Sequence, residues 1–230
     1  MKRALALFVC AGIGLPSARA DLLYENVNPD ALNSFGNVDA NAVMLDDVLI
    51  PTFRTQGMTR IDVKRVEVKL FSPLPGTHTV RAWFSPAFRT QNNTSAPTFP
   101  PTFIGSKTVT AGARNVTTLL AFGNGTDTLF STDLLLGFYQ NNPYMTFYFG
   151  LSFSAPLTEI GWYTADGPDA NANSFFKYYG PNDPRNGITG FAGHSRNSFY
   201  IKLEGVPVPE PASALLLGVF ALAGLRGRKR

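Results

Sequence analysis

Cysteine and histidine are almost missing from this sequence. Its only cysteine, Cys10, lies in an apolar N-terminal run, and its two histidines are His78 and His194. A disulfide scaffold and a cysteine nucleophile are therefore excluded for the rest of the chain. A serine nucleophile needs a positioned base, and the sequence has no Gly-x-Ser-x-Gly turn to place one. We expect both histidines in loops or on the surface, and no catalytic residue.

A surplus of positive charge is also lacking once the two ends are set aside. The formal net charge is +4, but seven of the 20 Lys and Arg residues lie within residues 1–20 and 226–230. Residues 21–208 hold 13 basic residues and all of the acidic ones except Glu210, which leaves 15. A region without a basic stripe has no electrostatic basis for binding nucleic acid. We therefore exclude nucleic acid as a partner.

Helical periodicity is scarce between residues 21 and 204. Short runs of β-branched and aromatic residues recur between turn residues, and the chain holds 19 Phe, 8 Tyr, 21 Gly and 17 Pro. This pattern favours an all-β protein, with a single antiparallel β-sandwich domain at residues 21–205. We predict strands at residues 104–111, 115–122, 144–154, 159–163, 174–178 and 198–204.

Three segments before residue 102 carry signals of local structure. Ile61 and Val63 alternate with polar residues, and the alternation then changes phase, which predicts a β-bulge at Lys64–Arg65. The prolines and glycine of residues 73–76 predict a hairpin between the strands on either side. The Pro, Asn, Thr and Ser content of residues 85–101 predicts a long exposed loop.

The predicted strand at residues 144–154 has the clearest two-sided pattern. Its apolar side holds Met145, Phe147, Phe149, Leu151 and Phe153. Its other side holds Tyr144, Thr146, Tyr148 and Ser152. Because successive side chains of a strand point to opposite faces, we expect the first set in the core and the second set facing solvent or a ligand.

Residues 1–20 have the order of a secretory signal peptide. Two basic residues precede the apolar run of residues 4–15, and the small-residue tripeptide Ala18-Arg19-Ala20 follows a proline. The run is too short for a stable span, and alanine at both recognition positions fits a signal peptidase. We predict cleavage before Asp21, with signal peptidase as a transient partner.

The last 25 residues have the order of the N-terminal segment in reverse, with the basic residues at the end. Three prolines within residues 207–211 impose an extended backbone, and the apolar run of residues 212–225 follows. As a helix this run spans about 21 Å, short of the roughly 30 Å of membrane hydrocarbon. A basic tail ends the chain: Arg226, Arg228, Lys229 and Arg230. We expect the tail on the cytoplasmic face and the prolines at the outer face of the inner membrane.

The Pro209-Glu210-Pro211 triplet, the short apolar run and the basic tail together resemble the PEP-CTERM sorting signal of Gram-negative bacteria. The resemblance covers residues 206–230. It implies that an integral-membrane exosortase recognises the triplet, and that the protein sits only transiently in the inner membrane. It also implies a final location at the cell surface or outside the cell. A single-span anchor without processing is the alternative.

A second resemblance concerns the acidic pair Asp46-Asp47. The segment 45–51, followed by Ile61-Asp62-Val63, is similar to a β-sandwich type frequent in PEP-CTERM proteins, in which a paired Asp opens a strand. It implies a jelly-roll-like sandwich with its N- and C-terminal strands near one another. Cation binding and a glycosidase-like pair of carboxylates remain open for the two residues, since spacing along a chain does not show the distance between carboxylates.

Residues 166–173 form a candidate calcium site. They gather four oxygen-bearing side chains: Asp166, Asp169, Asn171 and Asn173. Calcium takes about six to eight oxygen ligands, so this segment suits it, and calcium is the one cofactor that the sequence suggests. The segment does not match an EF-hand loop. The alternative is a surface loop whose side chains bond its own backbone.

Trp83, Trp162 and Tyr163 are candidates for a sugar-binding platform, because an aromatic ring presents a flat apolar face beside polar neighbours. Trp162 follows Gly161 and leads towards the candidate calcium loop. We therefore expect it near an edge of the fold, and core packing is the alternative for all three.

These features favour an exported, non-enzymatic structural or adhesive component of an exopolysaccharide or biofilm matrix. The resemblance supports this hypothesis, because PEP-CTERM signals are associated with extracellular polysaccharide. The alternative is a carbohydrate-binding module, assisted by calcium and with polysaccharide as its partner. A secreted hydrolase is the third hypothesis.

Overall fold

Strands make up most of the described part of the chain. The computed structural model describes residues 20–26, 35–36, 40–89, 95–139, 142–156, 158–166, 176–180 and 197–209. Within these residues, one short helix, α1 (Thr52–Thr55), accompanies fifteen strands. The strands are β1 (Asp21–Asn26), β2 (Phe35–Gly36), β3 (Val43–Pro51), β4 (Arg60–Ser72), β5 (Gly76–Arg89), β6 (Ser95–Pro97), β7 (Thr102–Ala111), β8 (Val116–Gly123), β9 (Phe130–Asp133), β10 (Leu135–Tyr139), β11 (Asn142–Phe153), β12 (Gly161–Asp166), β13 (Phe176–Tyr178), β14 (Asn197–Phe199) and β15 (Ile201–Pro207).

The strands form two antiparallel sheets. The first sheet joins β1, β15, β4, β12 and β14 in that order, with β8 and β9 also paired to β4, and β2 to β12. The second sheet joins β13, β3, β11, β5 and β6, with β7 paired to β5 and β10 to β11. This arrangement confirms the all-β class and is consistent with a β-sandwich. Five of the six strands predicted by residue range are present, with ends that differ by a few residues. The predicted strand 198–204 is instead divided at Tyr200 into β14, which pairs with β12, and β15, which pairs with β1 and β4.

The main core lies between the two sheets. The predicted apolar side of β11 is buried as expected and packs with Val66, Val68 and Leu70 of β4. Val80 and Ala82 of β5 belong to the same cluster. Removal of these large apolar side chains from water is the main force that holds the two sheets together.

The other side of β11 is buried too. Thr146, Tyr148 and Ser152 have almost no exposed surface, so the expectation that they face solvent or a ligand is wrong. Tyr148 belongs to a second apolar cluster with Leu45 of β3, and Ala96 and Tyr178 join it from distant parts of the chain. Both faces of β11 are buried because segments distant in sequence pack over the second face.

The bulge predicted at Lys64–Arg65 is confirmed. Arg65 pairs with Glu204 of β15, whereas Val63 pairs with Gly205, so β4 has one extra residue at Lys64. The burial pattern of β4 changes phase at the same point. The bulge also separates two partners on the opposite edge of β4, since β9 pairs before it and β8 pairs after it.

The turn at residues 73–76 does not close a hairpin. It connects β4 of the first sheet to β5 of the second, so that prediction is wrong. The residues of a turn favour a chain reversal, but they do not determine which sheet the next strand joins.

The predicted long loop at residues 85–101 is also wrong in part. β5 continues to Arg89, and Ala87, Phe88 and Arg89 pair with β6. Ser85 is buried and its hydroxyl donates a hydrogen bond to the carbonyl of Thr98 at 2.6 Å. Polar and proline-rich composition alone therefore did not indicate solvent exposure here.

The first and last strands of the predicted domain are neighbours. Asp21 of β1 pairs with Gly205 of β15, as the second resemblance implies. β15 continues to Pro207, two residues beyond the predicted domain end, and the N–H of Val208 donates to the carbonyl of Arg60 at 2.9 Å. No helix among the described residues is long and apolar enough to cross a membrane. The apolar runs of the two predicted targeting signals, residues 4–15 and 212–225, lie outside the described residues.

Candidate functional site

Trp162 lies in the core rather than near an edge. Its side chain is 0% exposed, and its ring stacks on that of Phe199 at a centroid distance of 4.3 Å. The ring also meets Phe149 of the second sheet edge-on at 5.8 Å. The indole N–H donates to the backbone carbonyl of Tyr200 at 2.9 Å. The predicted edge position is therefore wrong, because β12 lies between two other strands and directs Trp162 towards the opposite sheet.

Tyr163 points to the other side of β12 and is also buried. The ammonium nitrogen of Lys69 lies 4.4 Å from the centre of its ring and 5.7 Å from that of Tyr200. Phe71 meets Tyr163 edge-on at 6.5 Å. A cation above an aromatic face is stabilised by the ring quadrupole. Lys69 thus covers the ring face that a sugar would need.

Charges of both signs surround this cluster on the first sheet. Arg65 lies 2.7 Å from the carboxylate of Glu67 and 3.9 Å from that of Glu204, and Lys202 lies 3.7 Å from Glu204. Burial, and then the nearby carboxylates of Glu67 and Glu25, raise the pKa of the Tyr200 phenol above its ordinary value. Ion pairs of this exposure add little stability.

Trp83 is the one predicted aromatic candidate that keeps a partly exposed ring. Its indole N–H donates to the hydroxyl of Ser152 at 3.0 Å, and its ring meets that of Phe103 at 5.1 Å. Phe103 itself is 51% exposed. Arg81, two residues earlier on the same face, donates to the side-chain oxygen of Asn41 at 3.0 Å. The result is an open aromatic pair beside guanidinium and amide groups, which we call the Trp83 platform (Arg81, Trp83 and Phe103).

Sequence reasoning singled out Trp83 but missed Phe103 and Arg81. Trp83 and Phe103 are register partners in β5 and β7, yet Ala82 pairs with Gly105, so Ile104 is an extra residue in β7. This second bulge is what places Phe103 beside Trp83. The only sequence signal was the β-branched and aromatic content of residues 102–104, which does not identify a register.

Asp46 and Asp47 are buried in the middle of β3 and do not open a strand. One carboxylate oxygen of Asp46 accepts the backbone N–H of Phe199 at 3.0 Å. The side-chain amide of Asn26 donates to the carbonyl of the same Phe199 at 3.1 Å. Asp46 thus has a structural position between the sheets, whereas Asp47 is the register partner of Tyr148 and lies on the opposite face of β3. Among the described residues there is no group of three or more His, Cys, Asp or Glu that could hold a metal ion.

The candidate calcium loop is described only at its first residue. Asp166 ends β12 and pairs with Asn197 of β14. Asp169, Asn171 and Asn173 lie outside the described residues. Calcium binding there stays a prediction.

His78 is buried, which corrects its predicted loop or surface position. It is 3% exposed, pairs with Val109 of β7, and follows the same phase along β5 as Val80 and Ala82. Its Nδ1 lies 3.9 Å from the carboxylate of Glu159, which is beyond hydrogen-bond length. His194 lies outside the described residues.

Comparisons of this chain with models of known protein families, with curated proteins and with solved structures found no match. A proposal about its function therefore depends on the residues and contacts described above.

Proposed function

We propose that this protein is an exported, non-enzymatic structural or adhesive component of an extracellular matrix. An exosortase reads Pro209-Glu210-Pro211, and the mature chain resides at the cell surface or outside the cell. The observation that carries the proposal is the order of its two ends: a signal peptide at residues 1–20, and a triplet, apolar run and basic tail at residues 206–230.

The positions of the domain ends support this proposal. Asp21 is exposed and pairs with Gly205, so the proposed signal cleavage site and the start of the sorting segment adjoin the same pair of strands. Pro209, the first residue of the triplet, is also exposed. An enzyme at the membrane surface can reach both sites without unfolding the sandwich. The same pairing of the first and last strands supports a jelly-roll-like arrangement.

Mass spectrometry of the protein recovered from its native cell tests this proposal. We expect a chain that starts at Asp21 and lacks the apolar run and the basic tail. Glu210→Ala should leave the C-terminus intact and retain the protein in the inner membrane. Glu204→Gln is the matched control, because it removes an acidic residue six positions earlier and should leave processing unchanged. A wild-type chain that still ends in Arg230 would contradict the proposal.

The matrix role has a separate test. Deletion of the gene should weaken the cohesion of the cell-surface polysaccharide layer, and the wild-type chain should restore it. The Glu210→Ala chain should not restore it, because it stays in the membrane. A deletion strain whose polysaccharide layer is unchanged in mass and cohesion would contradict this part of the proposal.

The second candidate function is carbohydrate binding at the Trp83 platform. It is favoured by one observation, the exposed Phe103 ring against the partly exposed indole of Trp83, with Arg81 at the border. We expect Phe103→Ser to weaken binding to the native exopolysaccharide by about tenfold, equivalent to about 1.4 kcal/mol. Phe53→Ser is the matched control, since Phe53 is an exposed phenylalanine of α1, outside the platform.

Calcium assistance of that binding is tested in the same assay. A chelator should lower both the melting temperature and the polysaccharide signal of the wild-type chain, and calcium should restore them. Asp169→Asn should remove the effect of the chelator. Binding that is unchanged in chelator would exclude calcium from this function.

A further inference from the structure

The outer edges of the two sheets differ in how they are protected against pairing with a strand of another chain. A strand at the edge of a sheet exposes unpaired backbone N–H and C=O groups, and proteins usually block such edges with charges, bulges, prolines or very short strands. Among the described residues, β7 and β8 are the longest strands with a single strand partner, β5 and β4 respectively. They are consecutive along the chain and provide an internal comparison.

The edge at β7 carries two protective features. Lys107 is exposed near the middle of the strand, and the extra residue Ile104 interrupts the register with β5. β1, the long edge strand at the other side of the first sheet, carries Asp21 and Glu25 and has its own register shift between Leu22 and Tyr24.

The shorter edges are protected as well. β6 is three residues long and contains Pro97. β10 has five residues, and the guanidinium of Arg89 donates to the carbonyl of Leu136 at 2.6 Å. β9 has four residues and ends in Asp133.

The edge at β8 has none of these features. Its eight residues contain no charge and no proline, and they pair without a register shift from Val116 opposite Ser72 to Gly123 opposite Arg65. Val, Thr and Phe favour extended pairing. On the outer face, Leu119 is 58% exposed and Thr117 is exposed beside it. β8 is therefore long, uncharged and regular in its register, and it exposes Leu119 and Thr117 on its outer face.

We propose that β8 is a self-association edge, at which two copies of this chain pair antiparallel through a two-fold axis at Leu119. In this register Leu119 faces its own copy, and Thr117 faces Ala121 of the other chain. Both contacts are uncharged, so the strand is complementary to itself, as an isologous interface requires. Pairing buries the exposed Leu119 side chains and joins two first sheets into one. This inference does not rest on export or sorting, because it depends only on β8 and its neighbours.

A charge at position 119 should weaken the proposed interface without destabilising the folded monomer. Leu119 lies directly opposite Lys69 of β4, so Glu at this position gains an opposite charge within its own sheet. In the dimer the same Glu would face a second Glu. Ser106→Glu is the matched control, because Ser106 is an exposed residue of the β7 edge and lies opposite Arg81.

The measurement is sedimentation of the chain as recovered from its native cell, over a series of protein concentrations. We expect a concentration-dependent dimer for the wild type and for Ser106→Glu. Leu119→Glu should raise the dissociation constant by about tenfold or more. Its melting temperature should match that of the wild type at concentrations at which both chains are monomers, because dimerisation itself stabilises the folded chain. A wild type that is monomeric at every concentration would overturn the proposal, as would a Leu119→Glu chain that dimerises like the wild type.

Cysteine cross-linking tests the register without a charged variant. Cys10 is the only cysteine of the chain, so Cys10→Ser gives a background free of thiols. On it, Leu119→Cys should form a disulfide-linked dimer under mild oxidation, because opposed residues of paired strands lie about 4.5–5.5 Å apart at Cα. Ser106→Cys is expected to stay monomeric on reducing-agent-free gels. Equal cross-linking at the two positions would contradict the β8 interface.

Discussion

The carboxylate of Asp46, in the second sheet, accepts a hydrogen bond from the backbone N–H of Phe199, in the first sheet, at 3.0 Å. The two residues are 153 positions apart. Phe199 is also the residue whose ring stacks on Trp162 and whose carbonyl accepts from Asn26. A buried backbone group without a partner is costly, so this bond contributes to the fixed position of β14 against β3.

Replacement of Asp46 by valine should therefore destabilise the protein. The Phe199 N–H would stay buried without this acceptor, and we expect the free energy of unfolding to fall by about 1–3 kcal/mol. Asp46→Asn keeps an acceptor oxygen of similar size, so it should cost less than Asp46→Val. Urea unfolding of the two variants beside the wild type measures the difference. Equal losses in both variants would show that the acceptor is not what Asp46 contributes.

Trp162→Ala should be more damaging than any change at the exposed aromatic residues. Removal of a buried large aromatic side chain costs about 3–5 kcal/mol. Trp162→Phe keeps the ring contacts with Phe149 and Phe199 but loses the bond to the Tyr200 carbonyl, so a loss of about 1–3 kcal/mol is expected. Urea midpoints report both values. If Trp162→Ala unfolded at the wild-type midpoint, the buried position of Trp162 would be refuted.

Gly123 and Gly57 provide a matched pair for the bulge at Lys64. Both have positive φ, at +79° and +74°, but a Cβ on Gly123 would collide with the backbone carbonyl of Lys64, whereas no atom lies within 4 Å of a Cβ on Gly57. Gly57→Ala should lower the free energy of unfolding by about 1 kcal/mol, because an alanine at positive φ is strained even where its Cβ has space. Gly123→Ala adds the collision, and we expect a total of about 3 kcal/mol or more. Melting temperatures that fall equally in the two variants would contradict the close approach of β8 to the bulge.

The raised pKa of Tyr200 predicts that the folded protein loses stability in alkaline solution. Burial, followed by the Glu67 and Glu25 carboxylates, raises its pKa in the folded state above the ordinary value of 10.0. The folded protein thus holds this proton at a pH where the unfolded chain has released it. The resulting stabilisation is complete below the unfolded pKa and is lost as the pH rises through the raised one.

The comparison of wild type with Tyr200→Phe isolates this effect. The variant has no phenol at position 200, so its free energy of unfolding should fall less steeply above pH 10 than that of the wild type. Near neutral pH the difference between the two proteins should not change with pH. Parallel curves through the alkaline range would argue against a raised pKa at Tyr200.

Local patterns predicted the parts of this protein that depend on neighbours in sequence. The change of phase after Val63 predicted the bulge at Lys64, because side-chain alternation in a strand is a property of consecutive residues. The apolar side of β11 was predicted for the same reason. The order of charged, apolar and proline-rich segments at the two ends likewise led to the export and sorting predictions.

Only the tertiary structure determined which residues pack against those strands and which strands pair. Tyr148 and Ser152 look like solvent-facing residues in sequence, yet chain segments far away in sequence complete a second apolar cluster over their side of β11. Trp162 was assigned to an edge from its flanking residues, but its place is set by Phe149 and Phe199. The pairing of β5 with β7, which creates the Trp83 platform, and the edge position of β8 among the described strands depend on which strands become neighbours. Long-range pairing is determined by the packing of the whole sandwich, so a sequence window cannot contain it.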